Sequence, residues 1–385
     1  MVSSLWPPAM VGGAERHAAQ LAYELRQRGH EVAAMTLGAT GEGVIRTVPA
    51  WPFRLDEYEG KSALRRALFH LRDVYDPVAA TTTRRALREY APDVVHTHSV
   101  AGLSVAVMTA PSAARVAHVH HLHDYWLLCQ RTSFVQRDGT VCEHRCAPCH
   151  TISALRETLL RRHGPDRLIA PSFAMARAHG CLEWTTGRIE VAHLPAPDLE
   201  PKRPEWPEWP ERPAERPVTF GYLGRLTVEK GVRALLAAFR SIADLGCRLL
   251  VGGRGALAAE VRGPGVEALG WLDGDDRDSF WRDVDCLVVP SLWAEPGAMV
   301  AIEARAEGLP VIAADAGCLS EVVEDASRPL LFPPGDVDGL ARSLRSFAAE
   351  PERFRPSPTD SWTGWDDYIA TVLRVYSDAI ANART

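Results

Sequence analysis

Pro290-Ser291-Leu292-Trp293-Ala294-Glu295-Pro296-Gly297, running on through Glu303-Ala304-Arg305-Ala306-Glu307-Gly308-Leu309-Pro310-Val311-Ile312, decides the fold. The apolar run before it, Cys286-Leu287-Val288-Val289, reads as a buried parallel strand that Pro290 ends, leaving a loop that carries Glu295. From Ala298 the pattern turns helical, with Met299, Ile302 and Ala306 on one stripe. Gly308-Leu309-Pro310 stops that helix and Val311-Ile312 opens another strand. On one continuous helix, carboxylates at 295 and 303 would stand about 12 Å apart, at about 1.5 Å per residue. With Glu295 on the loop and Glu303 in the first turns of the helix, both can face one cleft at the carboxyl end of the sheet, where open α/β sheets take ligands.

Working outward, the second half alternates strand and helix. Val218 to Leu223 predicts a strand, Cys247 to Val251 a second and Val266 to Leu272 a third. Helices are expected from Lys230-Gly231 through Phe239, over Asp276 to Val284 and over Asp336 to Ala348. Such alternation implies parallel sheets with right-handed crossovers. At the carboxyl end of the first of these strands stands Gly224-Arg225-Leu226-Thr227-Val228-Glu229-Lys230-Gly231. An Arg fork, a Lys point charge and a helix N-terminus together suit a diphosphate in a partly dry cleft.

Upstream, Pro-Glu-Trp-Pro-Glu-Trp-Pro-Glu-Arg-Pro at 204–213 can hold neither a helix nor a central strand, so residues 197–217 read as a stiff linker. The first half opens with Met1 to Trp6 as a strand. A Gly12-Gly13 loop follows, then a helix with Ala19, Leu21 and Leu25 apolar, and a strand from Glu31 to Leu37. The glycines let backbone N–H groups at a helix N-terminus approach an anion or a sugar. Residues 60–92 read as two helices carrying Arg65, Arg66, Arg72, Arg84, Arg85 and Arg88. A solvated basic face is the reading taken there, over an acidic acceptor or an anionic membrane surface. A strand ending in His96-Thr97-His98 follows, then one from Ala114 to His120 that leads into His121-Leu122-His123-Asp124-Tyr125-Trp126. His118, His120 and His121 are read as structural or surface residues.

Composition bounds the class. At 385 residues the chain has room for two domains, and with 46% hydrophobic and 24% charged residues it is globular rather than disordered. A formal net charge of −6 argues against nucleic acid as a partner. No apolar run approaches the length of a membrane span, and the first residues lack the basic region of a secretory signal, so a cytoplasmic protein is expected. Eight cysteines in such a chain suggest thiols or a metal site rather than disulfides.

Together, Glu295-x7-Glu303 with the following Ala, Gly and Pro-Val-Ile, Gly224-Arg225 with Glu229-Lys230-Gly231, Gly12-Gly13-Ala14-Glu15-Arg16 and His123-Asp124-Tyr125-Trp126 resemble the retaining GT-B glycosyltransferases of glycosyltransferase family 4. The resemblance covers nearly the whole chain. It implies an α/β fold of two Rossmann-like domains facing a cleft. Residues 1–196 would form the acceptor-side domain, 218–360 the nucleotide-sugar domain, and a helix in 361–385 would cross back to the first. It implies transfer of a sugar from a UDP- or GDP-linked donor to a hydroxyl acceptor, with retention and without a metal for catalysis. Arg225 and Lys230 would stabilise the leaving diphosphate, and Glu303 would accept both ribose hydroxyls. Glu295 would lie near the donor sugar or its phosphate side, and His123 would contact the sugar. Gly12, Gly13, Gly224, Gly253, Trp271, Leu272, Gly297, Ala298, Met299 and Val300 would line the donor site. Pro195-Ala196-Pro197-Asp198 stands where the family often has Asn-Gly. A GT-B-fold nucleotide-sugar epimerase and a non-catalytic nucleotide-sugar-binding protein are the alternatives on the same fold.

Cys129, Cys142, Cys146 and Cys149 fall in a segment without a strand pattern and with few apolar residues to order it. A structural four-thiolate zinc site is expected there, with His144 or His150 able to replace one thiolate. The spacing Cys142-x3-Cys146-x2-Cys149 also fits an iron–sulfur cluster of a radical S-adenosylmethionine enzyme, but those enzymes place it after the first strand of a partial barrel. Incidental thiols are the third reading.

Overall fold

The computed structural model describes residues 1–383 except 10–11, 39, 54–56, 58–59, 137, 197–215, 324 and 357–362. The Pro-rich repeat, most of the expected linker and the expected start of the last helix at Trp362 lie outside the described residues. The chain divides into two compact units. One comprises Met1–Ser133, Glu143–His193 and Trp365–Thr385, the other Phe134–Cys142 and Leu194–Gly364.

In chain order the first unit holds α1 (Gly13–Gln27), β1 (Ala34–Leu37), β2 (Val44–Val48), α2 (Ala63–Arg72), α3 (Pro77–Tyr90), β3 (Val94–Thr97), α4 (Ala106–Ala113), β4 (Ala117–His121), α5 (Ala147–His163), β5 (Arg167–Ala170), α6 (Phe173–His179) and β6 (Ile189–Val191). Strands β3-β4-β5-β6 pair in parallel, as do β1-β2. The expected first strand is a shorter segment that bridges the two sets: Val2 pairs in parallel with both Met35 and Thr97. Its N–H donates to the His96 carbonyl, and the His98 N–H donates to its carbonyl, each at 2.8 Å. The spatial order is therefore β2, β1, the first segment, β3, β4, β5, β6, which is that of a doubly wound α/β sheet. Strand β2 was not expected, because four of its five residues are only partly buried or exposed and show no apolar run.

The second unit holds β7 (Thr219–Leu223), α7 (Val232–Arg240), β8 (Arg248–Gly252), β9 (Val266–Gly270), α8 (Gly274–Asp283), β10 (Cys286–Val289), α9 (Met299–Ala306), β11 (Val311–Ala313), α10 (Leu319–Val322) and α11 (Val337–Ala349). Its five strands pair in parallel in the order β11-β10-β7-β8-β9. The order reverses between β7 and β10, so the loops leaving those two strands flank the crevice where such sheets bind ligands. The core is apolar strand against apolar helix stripe: Phe220, Leu249, Leu250, Leu287 and Val288 pack with Leu235, Phe239, Phe280, Ile302, Leu340 and Phe347.

The last helix, α12 (Trp365–Ala383), belongs to the first unit. Trp365, Tyr368, Ile369, Val372, Val375 and Ala379 recur at helical spacing and are buried with Leu21, Leu25, Val119 and Ile169. No helix among the described residues is long and apolar enough to cross a membrane.

Candidate active site

In the second unit three loops close on one another because two positions lack a Cβ. Gly231, at φ +71°, would set a Cβ 1.7 Å from the Pro290 carbonyl oxygen. Gly253, at φ +141°, would set one 1.8 Å from the Gly224 carbonyl oxygen. Only glycine permits either approach. The loop after β10 is then fastened to the loop after β7: Leu292 and Trp293 donate their N–H groups to the Glu229 carbonyl at 2.9 and 3.3 Å.

This closure sets Lys230 Nζ 2.7 Å from Glu295 Oε1, with the ammonium also 4.8 Å from the centre of the Trp293 ring. Ser291 donates its hydroxyl to the same carboxylate oxygen. Glu295 is 4% exposed. Burial pushes its carboxyl up, but Lys230 and Ser291 outweigh burial and hold it below the ordinary carboxylate range. Arg225 lies one turn of loop away, its guanidinium 3.1 Å from Glu229.

The helix α9 starts beyond this loop. Ala298, its N-cap, sits at φ +41°, a left-handed conformation that strains an alanine. Gly297 and Ala298 are buried and Met299 and Val300 are partly buried, so the first turn offers backbone N–H groups and the positive end of the helix. Glu303, 5% exposed, forms an ion pair with Arg277 of α8. Trp271 is exposed, with the Arg254 guanidinium 4.4 Å above its ring, and Leu272 is buried. Asp273 stands at the N-cap of α8, although its side chain makes no capping bond.

Arg277, Ser291 and Arg254 were not singled out in the sequence. Ser291 lies within the quoted loop and was legible as a polar neighbour of Glu295. Arg277 and Arg254 reach their partners only through packing.

In the first unit, Gly12 caps α1 and its N–H donates to Glu15 Oε2 at 2.8 Å, while Gly13 is the helix's first residue. His123 follows β4, and its Nε2 shares a hydrogen bond with His98 Nδ1 at 3.0 Å. Burial, reinforced by His17 and His120, holds His123 well below the ordinary histidine value, so it is a neutral donor and acceptor near pH 7. Asp124 is pushed up to about 6 by burial, and it accepts from the Trp126 N–H at 2.7 Å. His118, His120 and His121 are all buried. The first two bond the Thr97 hydroxyl at 2.9 Å each.

Residues 11–195 match the family model described as Glycosyltransferase Family 4, and residues 217–350 match that described as Glycosyl transferases group 1. The chain belongs to the group 1 glycosyltransferases of family 4 type. It is 27% identical over 383 residues to a glycogen synthase of Mycobacterium tuberculosis, covering 91% of this chain and 86% of that one. The solved sucrose-phosphate synthase of Thermosynechococcus elongatus superposes with a TM-score of 0.70 at 19% identity, over 98% of this chain and 97% of that one. Anabaena HepE, solved in complex with UDP-glucose, superposes with a TM-score of 0.64 at 19% identity, over 100% of this chain and 94% of that one. Membership of the family makes the protein a glycosyltransferase with the GT-B pair of Rossmann-like domains, and it favours transfer over the epimerase, binding-protein and radical-enzyme readings.

The glycosyltransferase distributes its four clustered cysteines over both units. Cys129, Cys146 and Cys149 belong to the first unit; Cys142 belongs to the hairpin Phe134–Cys142 of the second, where Val135 and Val141 pair antiparallel. Cys129 and Cys149 are buried, Cys142 is partly buried and Cys146 is exposed. Cys146 stands at the N-cap of α5 and Cys149 in its first turn, so the segment is more ordered than its sequence pattern implies. The Cys149 amide and thiol bond Cys146 and lower its thiol below the ordinary value.

Proposed function

We propose that this glycosyltransferase moves a sugar, with retention of configuration and without a metal for catalysis, from a UDP- or GDP-linked donor to a hydroxyl acceptor in the cytoplasm. The observation that carries the reading is the Lys230–Glu295 pair, its carboxylate buried and its ammonium partly so, with Lys230 on the loop that also carries Arg225 at the reversal of strand order in the second unit. Two cations and the N-terminus of α9 supply positive charge where a departing diphosphate develops negative charge, which is the task a metal performs elsewhere. Arg225 and Lys230 take the diphosphate, Gly224 and Gly297 to Val300 line it, and Glu303 takes the ribose hydroxyls while Arg277 keeps it oriented. Gly253, Trp271 and Leu272 flank the base. Gly12, Gly13 and His123 serve the sugar, and Glu295 holds Lys230 in place at the sugar's side. Similar structures solved with UDP, with UDP-glucose and with ADP are consistent with a nucleotide donor.

Calorimetric titration with UDP, GDP and ADP tests the donor site. Arg225→Ala and Glu303→Ala are each expected to weaken binding by about 1–3 kcal/mol, the worth of a charge-assisted bond. Unchanged affinity in both variants would remove the assignment. Transfer is expected to persist in a chelator, and the product is expected to keep the anomeric configuration of the donor, read by proton NMR.

We also propose a structural zinc ion held by Cys129, Cys146 and Cys149, with His144 or His150 in place of the fourth thiolate because Cys142 belongs to the other unit. It is supported by the paired thiols of Cys146 and Cys149 and the scarcity of apolar side chains in the segment. Zinc near one equivalent is expected in protein purified without added metal. Far less would refute it, and a brown protein with stoichiometric iron would point to an iron–sulfur cluster instead.

A further inference from the structure

Four histidines of the first unit converge where its sheet reverses order. His17 lies on α1, which follows the first segment; His98 follows β3; His121 ends β4 and His123 lies just beyond it. The first segment and β3 are neighbours in the sheet, so the residues leaving them flank that unit's own crevice. Each imidazole offers one nitrogen, and the four nitrogens all lie within 4.8 Å of one another. The rings of His121 and His123 stack at 4.2 Å, and those of His17 and His121 meet edge to face at 4.9 Å.

Hydrogen bonding sets this cluster apart from a packed core. His17, His98 and His121 are 2%, 1% and 0% exposed, and His123 is partly buried. Both ring nitrogens of His17 and both of His121 are buried without a hydrogen-bond partner. A neutral imidazole has one donor and one acceptor to satisfy, so two such rings leave four groups unmet in one place. Native interiors rarely leave buried polar atoms unmet, and an ion or ordered water at the site is a standard resolution. His118 and His120, on the same strand as His121, do find a partner in Thr97.

We propose that His17, His98, His121 and His123 form a binding site for a borderline divalent transition-metal ion of the zinc, cobalt, nickel and copper group. All-nitrogen imidazole donors suit those ions and not magnesium or calcium, which take oxygen ligands. Tetrahedral coordination with metal–nitrogen bonds of about 2.0–2.1 Å brings ligand nitrogens about 3.3 Å apart. The four nitrogens already lie within 4.8 Å of one another, so they reach that spacing by drawing in by up to about 1.5 Å. Such an ion ties α1 to the ends of two strands. His123 then has two uses: its ring serves the ion in the metal-loaded protein and is open to a hydroxyl in the metal-free one. The site shares His123 with the proposed function, whose charged donor residues Arg225, Lys230, Glu295 and Glu303 belong to the other unit.

Cobalt(II) titration of the full chain tests the proposal. A tetrahedral visible spectrum lacking sulfur-to-cobalt charge transfer is expected, kept in Cys146→Ser and lost in both His17→Leu and His121→Phe. The unfolding transition of the first unit in scanning calorimetry provides the check that each variant is folded, since both histidines belong to that unit. Absence of that spectral component from the wild type, or its survival in both histidine variants, overturns the site and leaves ordered water as the partner of the four rings. Should either histidine variant fail to fold, pulsed electron paramagnetic resonance of the copper-loaded wild type decides: three or more bound imidazoles support the site, and fewer overturn it.

Discussion

Glu295 shows how a single residue is settled by competing terms. Burial alone would favour its neutral carboxyl, yet Lys230 at 2.7 Å and Ser291 hold its pKa below the ordinary 4.5. A carboxyl with a lower pKa folded than unfolded contributes stability that is full above the unfolded value, about 4.3, and fades as pH falls through the folded value. Glu295→Gln leaves the Lys230 ammonium without its partner and is expected to cost about 3 kcal/mol at neutral pH. Urea midpoints between pH 7 and pH 3 should show a gap between wild type and variant that is level to about pH 5 and then narrows. A gap that stays level down to pH 3 would mean that the pair is not linked to folding. The sequence marked both residues as members of local motifs. Their direct contact, across 65 positions, depends on Gly231 tolerating the Pro290 carbonyl, and no local pattern records that.

Among the elements, β7, β8, β10 and β11 of the second unit were legible because they carry apolar runs with glycine or proline at their ends, whereas β9, Val-Glu-Ala-Leu-Gly, was legible from its flanking glycines. The helices were legible because their apolar residues recur every three or four positions. Strand β2 was not legible, since its residues are mostly partly buried and polar neighbours interrupt them. The histidines of β4, read as structural or surface residues, are all buried, and strand alternation explains why their surroundings differ. His118 and His120 point to one face, where Thr97 binds both. His121 points to the other, with Ala117 and Val119, where α12 packs. A second feature had no sequence signal. Arg156 of α5, 1% exposed, donates to Asp73 at 2.7 Å, and the same carboxylate accepts from the Trp126 indole at 2.6 Å. The guanidinium also lies 3.7 Å from the centre of the Trp126 ring. This network joins the end of α2, the loop carrying His123 and α5, so the loop's position is fixed by groups up to 83 residues apart.

Across the whole molecule, the strand orders of both sheets follow the doubly wound pattern, which the alternation of strand and helix implied. The last helix breaks the correspondence between sequence order and unit, because α12 comes after the second unit and completes the core of the first. Its six buried side chains, Trp365, Tyr368, Ile369, Val372, Val375 and Ala379, cover Leu21, Leu25, Val119 and Ile169. The Tyr376 hydroxyl also bonds His96 Nδ1 at 2.8 Å. A fully buried large apolar side chain contributes about 1.5–3 kcal/mol, so five of the six, the alanine aside, amount to roughly 10 kcal/mol. That is comparable with the entire stability of a domain, about 5–15 kcal/mol. The six are therefore required for the first unit to fold, whereas none of them belongs to the core of the second. A chain ending at Gly364 is expected to lose the cooperative unfolding transition of the first unit in scanning calorimetry while retaining that of the second. The same truncated chain should still bind nucleoside diphosphate, because Arg225, Lys230, Glu295 and Glu303 all lie in the unit that keeps its core. Two intact transitions after truncation would show that α12 is peripheral to the first unit despite its burial.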